Sequence, residues 1–130
     1  MNLIAKSLSA VALSLSAITS FAAPDYLITH NNTNEESNAY VAGKPSIYPT
    51  APHSTRKVYW NLVKLACHGH TTNGKCLAVI KMATNTPNPI DVGTVEMDIN
   101  TGDINPKQIV SPHGYILTVN GPGEASISKN

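Results

Sequence analysis

The chain has 130 residues, nine basic and eight acidic side chains, and a formal net charge of +1. Arg56-Lys57 is the only adjacent basic pair, which argues against a nucleic-acid footprint and a polybasic membrane dock. Beyond the N-terminal segment no apolar run approaches the roughly 18–20 residues of a membrane span, so no such span is expected.

Residues 1–22 read as an export signal. Lys6 is the only charge, and Leu8 to Ala22 is uncharged and rich in Ala, Ser and Leu. Ser20-Phe21-Ala22 places small residues at the two positions a signal peptidase reads, so cleavage is expected after Ala22. No cysteine lies near the cut, so no lipid anchor is expected. Residues 23–130 are then one domain, long enough to build a single core. Its expected location is the periplasm or the medium.

Beyond the signal the sequence reads as all-β, with Gly, Pro and Asn punctuating short runs rich in Val, Ile, Thr and Tyr. Tyr26–Asn32 is the first candidate strand and Asn38–Gly43 its return. Lys44–Arg56 carries Pro45, Pro49 and Pro52, which remove ladder donors, so it reads as a surface loop or edge-hugging crossover. Lys57–Cys67 and Cys76–Thr84 flank the stretch CHGHTTNGKC and are expected to form an antiparallel hairpin with Cys67 opposite Cys76. That register places Leu65 on Ala78, Val63 on Ile80 and Asn61 on Met82, giving one nearly apolar face.

Gly93–Ile99 alternates, with Val95, Met97 and Ile99 inward and Thr94, Glu96 and Asp98 outward. Asn100–Asp103 is a turn. Gly114–Asn120 and Ala125–Lys129 make a last hairpin around Gly121-Pro122-Gly123. About seven or eight short strands at this density predict an antiparallel β-sandwich of immunoglobulin-like architecture, with a small closed β-barrel as the alternative. The cysteine-then-tryptophan order of immunoglobulin domains is absent, because Trp60 precedes both cysteines.

Cys67 and Cys76 are the only cysteines. In an exported chain they are expected to pair as a disulfide. His68 and His70, spaced i and i+2, would share one side of an extended segment and could ligate copper or zinc, with His53, His113 or His30 as a third ligand. The bland reading is a pair of solvated loop histidines, and no cofactor is then expected. Ser54 beside His53 does not make a catalytic dyad, and no catalytic residue is assigned. Asp98–Asp103 holds acidic residues but too few ligands for a calcium loop. Asn31-Asn32-Thr33 matches a glycosylation acceptor, a match that carries no meaning if the export signal is bacterial, as its brevity and Ala/Ser richness suggest. Tyr48, His53 and Arg56 in the Pro-rich segment are the candidate binding residues, with the composition of an adaptable recognition loop.

The stretches DYLITHNNTNEESNAYVAG, KVYWNLVKLACHGHTTNGKC and GYILTVNGPGE together resemble small exported β-rich proteins of uncharacterised function from gammaproteobacteria, including intracellular pathogens. The resemblance implies export and a life facing envelope or host, and assigns no residue a role. The resulting expectation is a disulfide-stapled, non-enzymatic binding protein for a protein or an envelope or host ligand. Its contact surfaces are Lys44–Lys57 and the disulfide-closed loop, placed at what could be different ends of the domain. A periplasmic copper or zinc binder is the second reading and a small hydrolase the third.

Overall fold

A computed structural model describes residues 22–130; the export signal read over residues 1–22 lies almost wholly outside them. The strands in chain order are β1 (Tyr26–Asn31), β2 (Ser37–Val41), β3 (Lys44–Pro45) and β4 (Ser54–Tyr59). One helix, α1 (Trp60–Cys67), follows, then β5 (Thr71–Thr72), β6 (Lys75–Met82) and β7 (Ile90–Asp98). The last four are β8 (Ile104–Asn105), β9 (Gln108–Val110), β10 (Tyr115–Gly121) and β11 (Glu124–Lys129). They form two sheets. The first has the order β4-β1-β11-β10-β9, and the second β3-β2-β6-β7-β8, with β5 also on β6. This is the expected sandwich and not the closed barrel. It is not purely antiparallel, because β1 runs parallel to β11.

The core is where strand alternation turns apolar residues of both sheets toward each other. Val95, Met97 and Ile99 are buried, as the alternation of β7 required. A one-residue bulge leaves Val92 unpaired between Gly93 and Asp91, so that Val92 is buried on the same side as Val95. Leu117 and Ile127 of the β10–β11 hairpin come in from the other sheet. The turn at Asn100–Asp103 forms as read: Asp98 Oδ1 accepts from the backbone N–H of Asn100 at 2.8 Å and of Thr101 at 3.1 Å. Asp103 is held by Lys107 and Asn105, and the Lys107 ammonium is the main cause that keeps its carboxyl below the usual carboxylate range. These acidic groups build the turn.

Two expectations fail. Asn38–Gly43 does not return along β1; β2 crosses to the second sheet and pairs with β6, while β1 takes β4 and β11 as neighbours. The Cys67–Cys76 hairpin does not form either. Lys57–Cys67 splits into the end of β4 and helix α1, so the pairings Leu65 with Ala78, Val63 with Ile80 and Asn61 with Met82 are absent. Trp60, Val63 and Cys67 are the buried residues of α1, which is i, i+3, i+7 spacing and one helical face. The hairpin that does form is smaller. Asn73 and Gly74 both have positive φ, 53° and 75°, and turn Thr71 back onto Cys76, the geometry an Asn-Gly turn favours. Asn31, in the sequence match to a glycosylation acceptor, is 0% exposed, in keeping with the reading that the match carries no meaning here.

The disulfide survives the change of partner. Cys67 at the end of α1 and Cys76 near the start of β6 are bonded, with Cα atoms 6.0 Å apart, and both are buried. The staple therefore ties helix to sheet and not strand to strand.

One buried group links the fold to alkaline pH. Tyr115 is 0% exposed, and its hydroxyl donates to the Glu35 carboxylate, which also faces Lys129 at 3.7 Å. Burial first, then the hydrogen bond and the charge of Glu35, push the phenol from its ordinary 10 up to about 12. Between those values the unfolded chain holds fewer protons than the folded one, so stability falls as pH rises. The contribution is fully present below pH 10 and is lost through about 12, at a slope of up to ~1.4 kcal/mol per pH unit. Urea unfolding on either side of pH 10 should show this limb in the wild type and a shallower one in Tyr115→Phe. Equal slopes in the two proteins would remove Tyr115 as its cause.

Candidate functional site

The sandwich does not close tightly at the edge where α1 meets the Pro-rich crossover. A cavity of about 400 Å³ opens there between the two sheets, within the ~300–1,000 Å³ typical of small-molecule sites. The first sheet supplies Leu27, Val58, Leu117 and Ile127, and the second supplies Ala39, Val41, Ala78, Ile80 and Met97. Helix α1 closes one side with Leu62, Val63 and Ala66, and the segment Lys44–Tyr48 closes another.

Each wall follows from local chain chemistry. On β4, alternation sends Arg56 and Val58 inward and leaves Thr55 and Lys57 on the outer face, where Lys57 lies over the Tyr26 ring at 5.6 Å. The opposing residues of β1, Thr29 and Leu27, face the same cavity. Of the two readings of the Pro-rich segment, loop or edge-hugging crossover, it is a crossover, but a shorter one than Lys44–Arg56, because both ends are strand: β3 pairs briefly with β2, the chain leaves the ladder, and β4 begins at Ser54 in the other sheet. Asn38 holds it by donating from Nδ2 to the Ser46 carbonyl at 2.7 Å. Thr50 is fixed by reciprocal backbone bonds with Ser37, 2.8 and 2.9 Å.

The candidate binding residues separate. Tyr48 and Arg56 both line the cavity. The Arg56 guanidinium sits over the Tyr48 ring at 5.5 Å and donates to the Pro49 carbonyl at 3.3 Å. His53 does not line it; its Nε2 is 2.5 Å from Asn34 Oδ1 on the β1–β2 loop. The two candidate contact segments are not at different ends: Lys44–Tyr48, Arg56, Cys67 and His70 line the same cavity.

The histidines do not assemble. His68 and His70 lie in the turn that ends α1 and not in an extended strand: the His68 N–H bonds the Leu65 carbonyl at 3.2 Å and that of His70 the Cys67 carbonyl at 2.8 Å. His70 reaches the cavity and His68 does not. His113 lies in the β9–β10 turn, and His53 is on the crossover. Among the described residues no three His, Cys, Asp or Glu side chains gather as a metal set, and the disulfide removes both thiolates.

His30 makes a different constellation, on the outer face of the first sheet. Its Nδ1 is 2.9 Å from Thr55 Oγ1 and its Nε2 2.6 Å from Glu124 Oε2. The order hydroxyl, imidazole, carboxylate is that of a nucleophilic triad. The three are side-by-side on adjacent strands β4, β1 and β11, and none of them lines the cavity. Ser54 and His53 are not bonded to each other; the Ser54 hydroxyl donates to the Pro52 carbonyl at 3.0 Å.

Sequence reasoning missed the cavity itself. Its walls come from nearly every element of the chain, so no local pattern marks it. In the fold, Ile47 and Leu65 are large aliphatic residues that remain 80% and 70% exposed, and both line the cavity.

A comparison with curated proteins gave no match. Among solved structures, the crystal structure of the Legionella pneumophila type II secretion system substrate NttC is 70% identical, covering 83% of this chain and 100% of that one, with a TM-score of 0.80. The family profile described as T2SS substrate NttC matches residues 1–130. A chain matched over that whole length belongs to the NttC family of type II secretion system substrates and is an exported, secreted protein.

Proposed function

We propose that this is a non-enzymatic binding protein that acts outside the cell, and that its ligand enters the cavity between the two sheets. Export would use the N-terminal segment read as a signal, followed by the type II route for which its relative is named. The single observation that carries the reading is an apolar void left in a protein small enough to need all its core. Interiors are normally packed to crystal density, and an unfilled apolar cavity forfeits dispersion contacts around its whole lining. A mostly apolar site with a few polar groups in its lining is what small-molecule recognition uses.

The test is saturation with an uncharged environment-sensitive dye such as N-phenyl-1-naphthylamine. One dye per chain is expected, with a blue-shifted emission. Ala39 and Ala125 both face the cavity, so the double variant Ala39→Leu, Ala125→Leu should fill it and weaken the dye by about tenfold or more. Cooperative thermal unfolding of the variant would show the sandwich intact. A wild-type protein that takes up no dye, or a filled variant that binds as well as the wild type, would sink the reading.

A further inference from the structure

We propose that the ligand is a single-chain anionic amphiphile, an aliphatic carboxylate being its simplest form, seated tail-inward with its head at Arg56 and Lys44. This rests on the reading of the cavity as a binding site and adds the chemistry of what fills it.

The lining is mostly apolar, with Thr29, Ser37, Asn38 and Thr50 among its neutral polar groups, yet two cations stand on it, Lys44 and Arg56, and no aspartate or glutamate does. Four other lysines have carboxylate partners: Lys75 with Glu96, Lys81 with Asp91, Lys107 with Asp103 and Lys129 with Glu35; Lys57 and Lys64 stand away from the cavity. Among the described residues neither Lys44 nor Arg56 has one. Arg56 carries five N–H donors in a fixed fork, and among the described residues the guanidinium makes one hydrogen bond, to the Pro49 carbonyl. The Tyr48 ring beneath it holds the guanidinium in place without neutralising it. A planar, unpaired fork at the mouth of an apolar pocket matches a carboxylate in the bidentate manner. The rim agrees with the tail. Ile47 and Leu65 are exposed at 80% and 70%, and an aliphatic chain passing between them would cover both.

Arg56 also has a bland explanation. β4 is an edge strand, and inward-pointing charges on edge strands discourage sheet-to-sheet aggregation. That role is indifferent to the head group of a ligand, which makes head-group preference the deciding measurement.

Dodecanoate, dodecanol and dodecyltrimethylammonium share one tail and differ in head charge. Their affinities for the wild-type protein can be read by displacement of the dye. Dodecanoate is expected to bind at least about tenfold tighter than dodecanol, and the cation weaker than the alcohol. In the variant Lys44→Gln, Arg56→Gln the carboxylate should fall to the level of the alcohol, while dodecanol changes by no more than about twofold. Added salt should weaken dodecanoate and leave dodecanol unmoved. Equal wild-type affinity for dodecanoate and dodecanol would overturn the anionic head and leave the apolar site standing. Binding of none of the three would overturn both. A double variant that keeps the full preference would place the head elsewhere and overturn the assignment to Arg56 and Lys44.

Discussion

Replacing Cys67 and Cys76 together by alanine is expected to lower the midpoint of thermal unfolding by about 10–20 °C. The closed loop has a sequence separation of nine, and on the chain-entropy model opening it costs about 2–3 kcal/mol. The helix it anchors has little support of its own. α1 has eight residues, no side-chain cap at its first turn and no acidic residue there, well below the length at which isolated helices persist. What holds it is burial of Trp60 and Val63, the indole N–H bonded to the Ile99 carbonyl at 2.9 Å, and the covalent tie at its last residue. Cys67 also lines the cavity, so the variant should lose dye affinity along with stability. Both sulfurs belong to residues at most 1% exposed. Reductant should therefore act on the wild-type protein only as fast as it unfolds, which thiol labelling can follow. A midpoint within a few degrees of the wild type would mean that the bond is incidental to the fold.

That staple shows how far the sequence could be read. The pairing of the cysteines was legible from export and count alone. The element between them was not. An eight-residue apolar segment satisfies helical and strand patterns about equally. Here, moreover, the strand register that faced Cys67 with Cys76 also gave a nearly apolar face. The agreement of the two was coincidence. Asn73-Gly74 was the signal that should have decided it, because a two-residue turn at that point must bring Thr71, not Cys67, opposite Cys76.

Alternation in β7, the Asn100–Asp103 turn and the β10–β11 hairpin were readable because each is closed by residues near in sequence. The parallel pairing of β1 with β11 joins chain ends roughly a hundred residues apart and leaves no local mark. For the site, Tyr48 and Arg56 were found from loop chemistry. The cavity that gives them a purpose is a property of two sheets and a helix meeting. The histidine spacing of His68 and His70 was visible in the sequence but presupposed an extended backbone that the end of α1 does not provide.

Asn31→Ala is expected to cost about 3–5 kcal/mol, a large share of the ~5–15 kcal/mol that holds a domain folded. Asn31 is the last residue of β1 and 0% exposed. Its Nδ2 donates to the carbonyls of Glu35 at 2.7 Å and Thr50 at 3.2 Å. Its Oδ1 accepts from the Thr33 N–H at 3.1 Å and the Thr33 hydroxyl at 2.7 Å. One amide thus satisfies groups on the β1–β2 loop and on the Pro-rich crossover, and truncation strands several of them away from water. Asn31→Asp separates this account from simple loss of volume. A carboxylate there would aim a second oxygen at two carbonyls and bury a charge, so it should be at least as unstable as alanine at neutral pH. Burial would raise its folded pKa above the ordinary ~3.9. The folded Asp variant would then bind more protons than the unfolded one, and its stability relative to wild type should recover as pH falls toward about 4. Urea unfolding of the three proteins across that range measures it. An alanine variant within about 1 kcal/mol of wild type, or an Asp variant with no acid recovery, would show that the amide is not what fixes the crossover. If it is, the same variants should bind dodecanoate less selectively, because Thr50 follows Tyr48 by two residues and the ring beneath Arg56 is only as well placed as the segment that carries it.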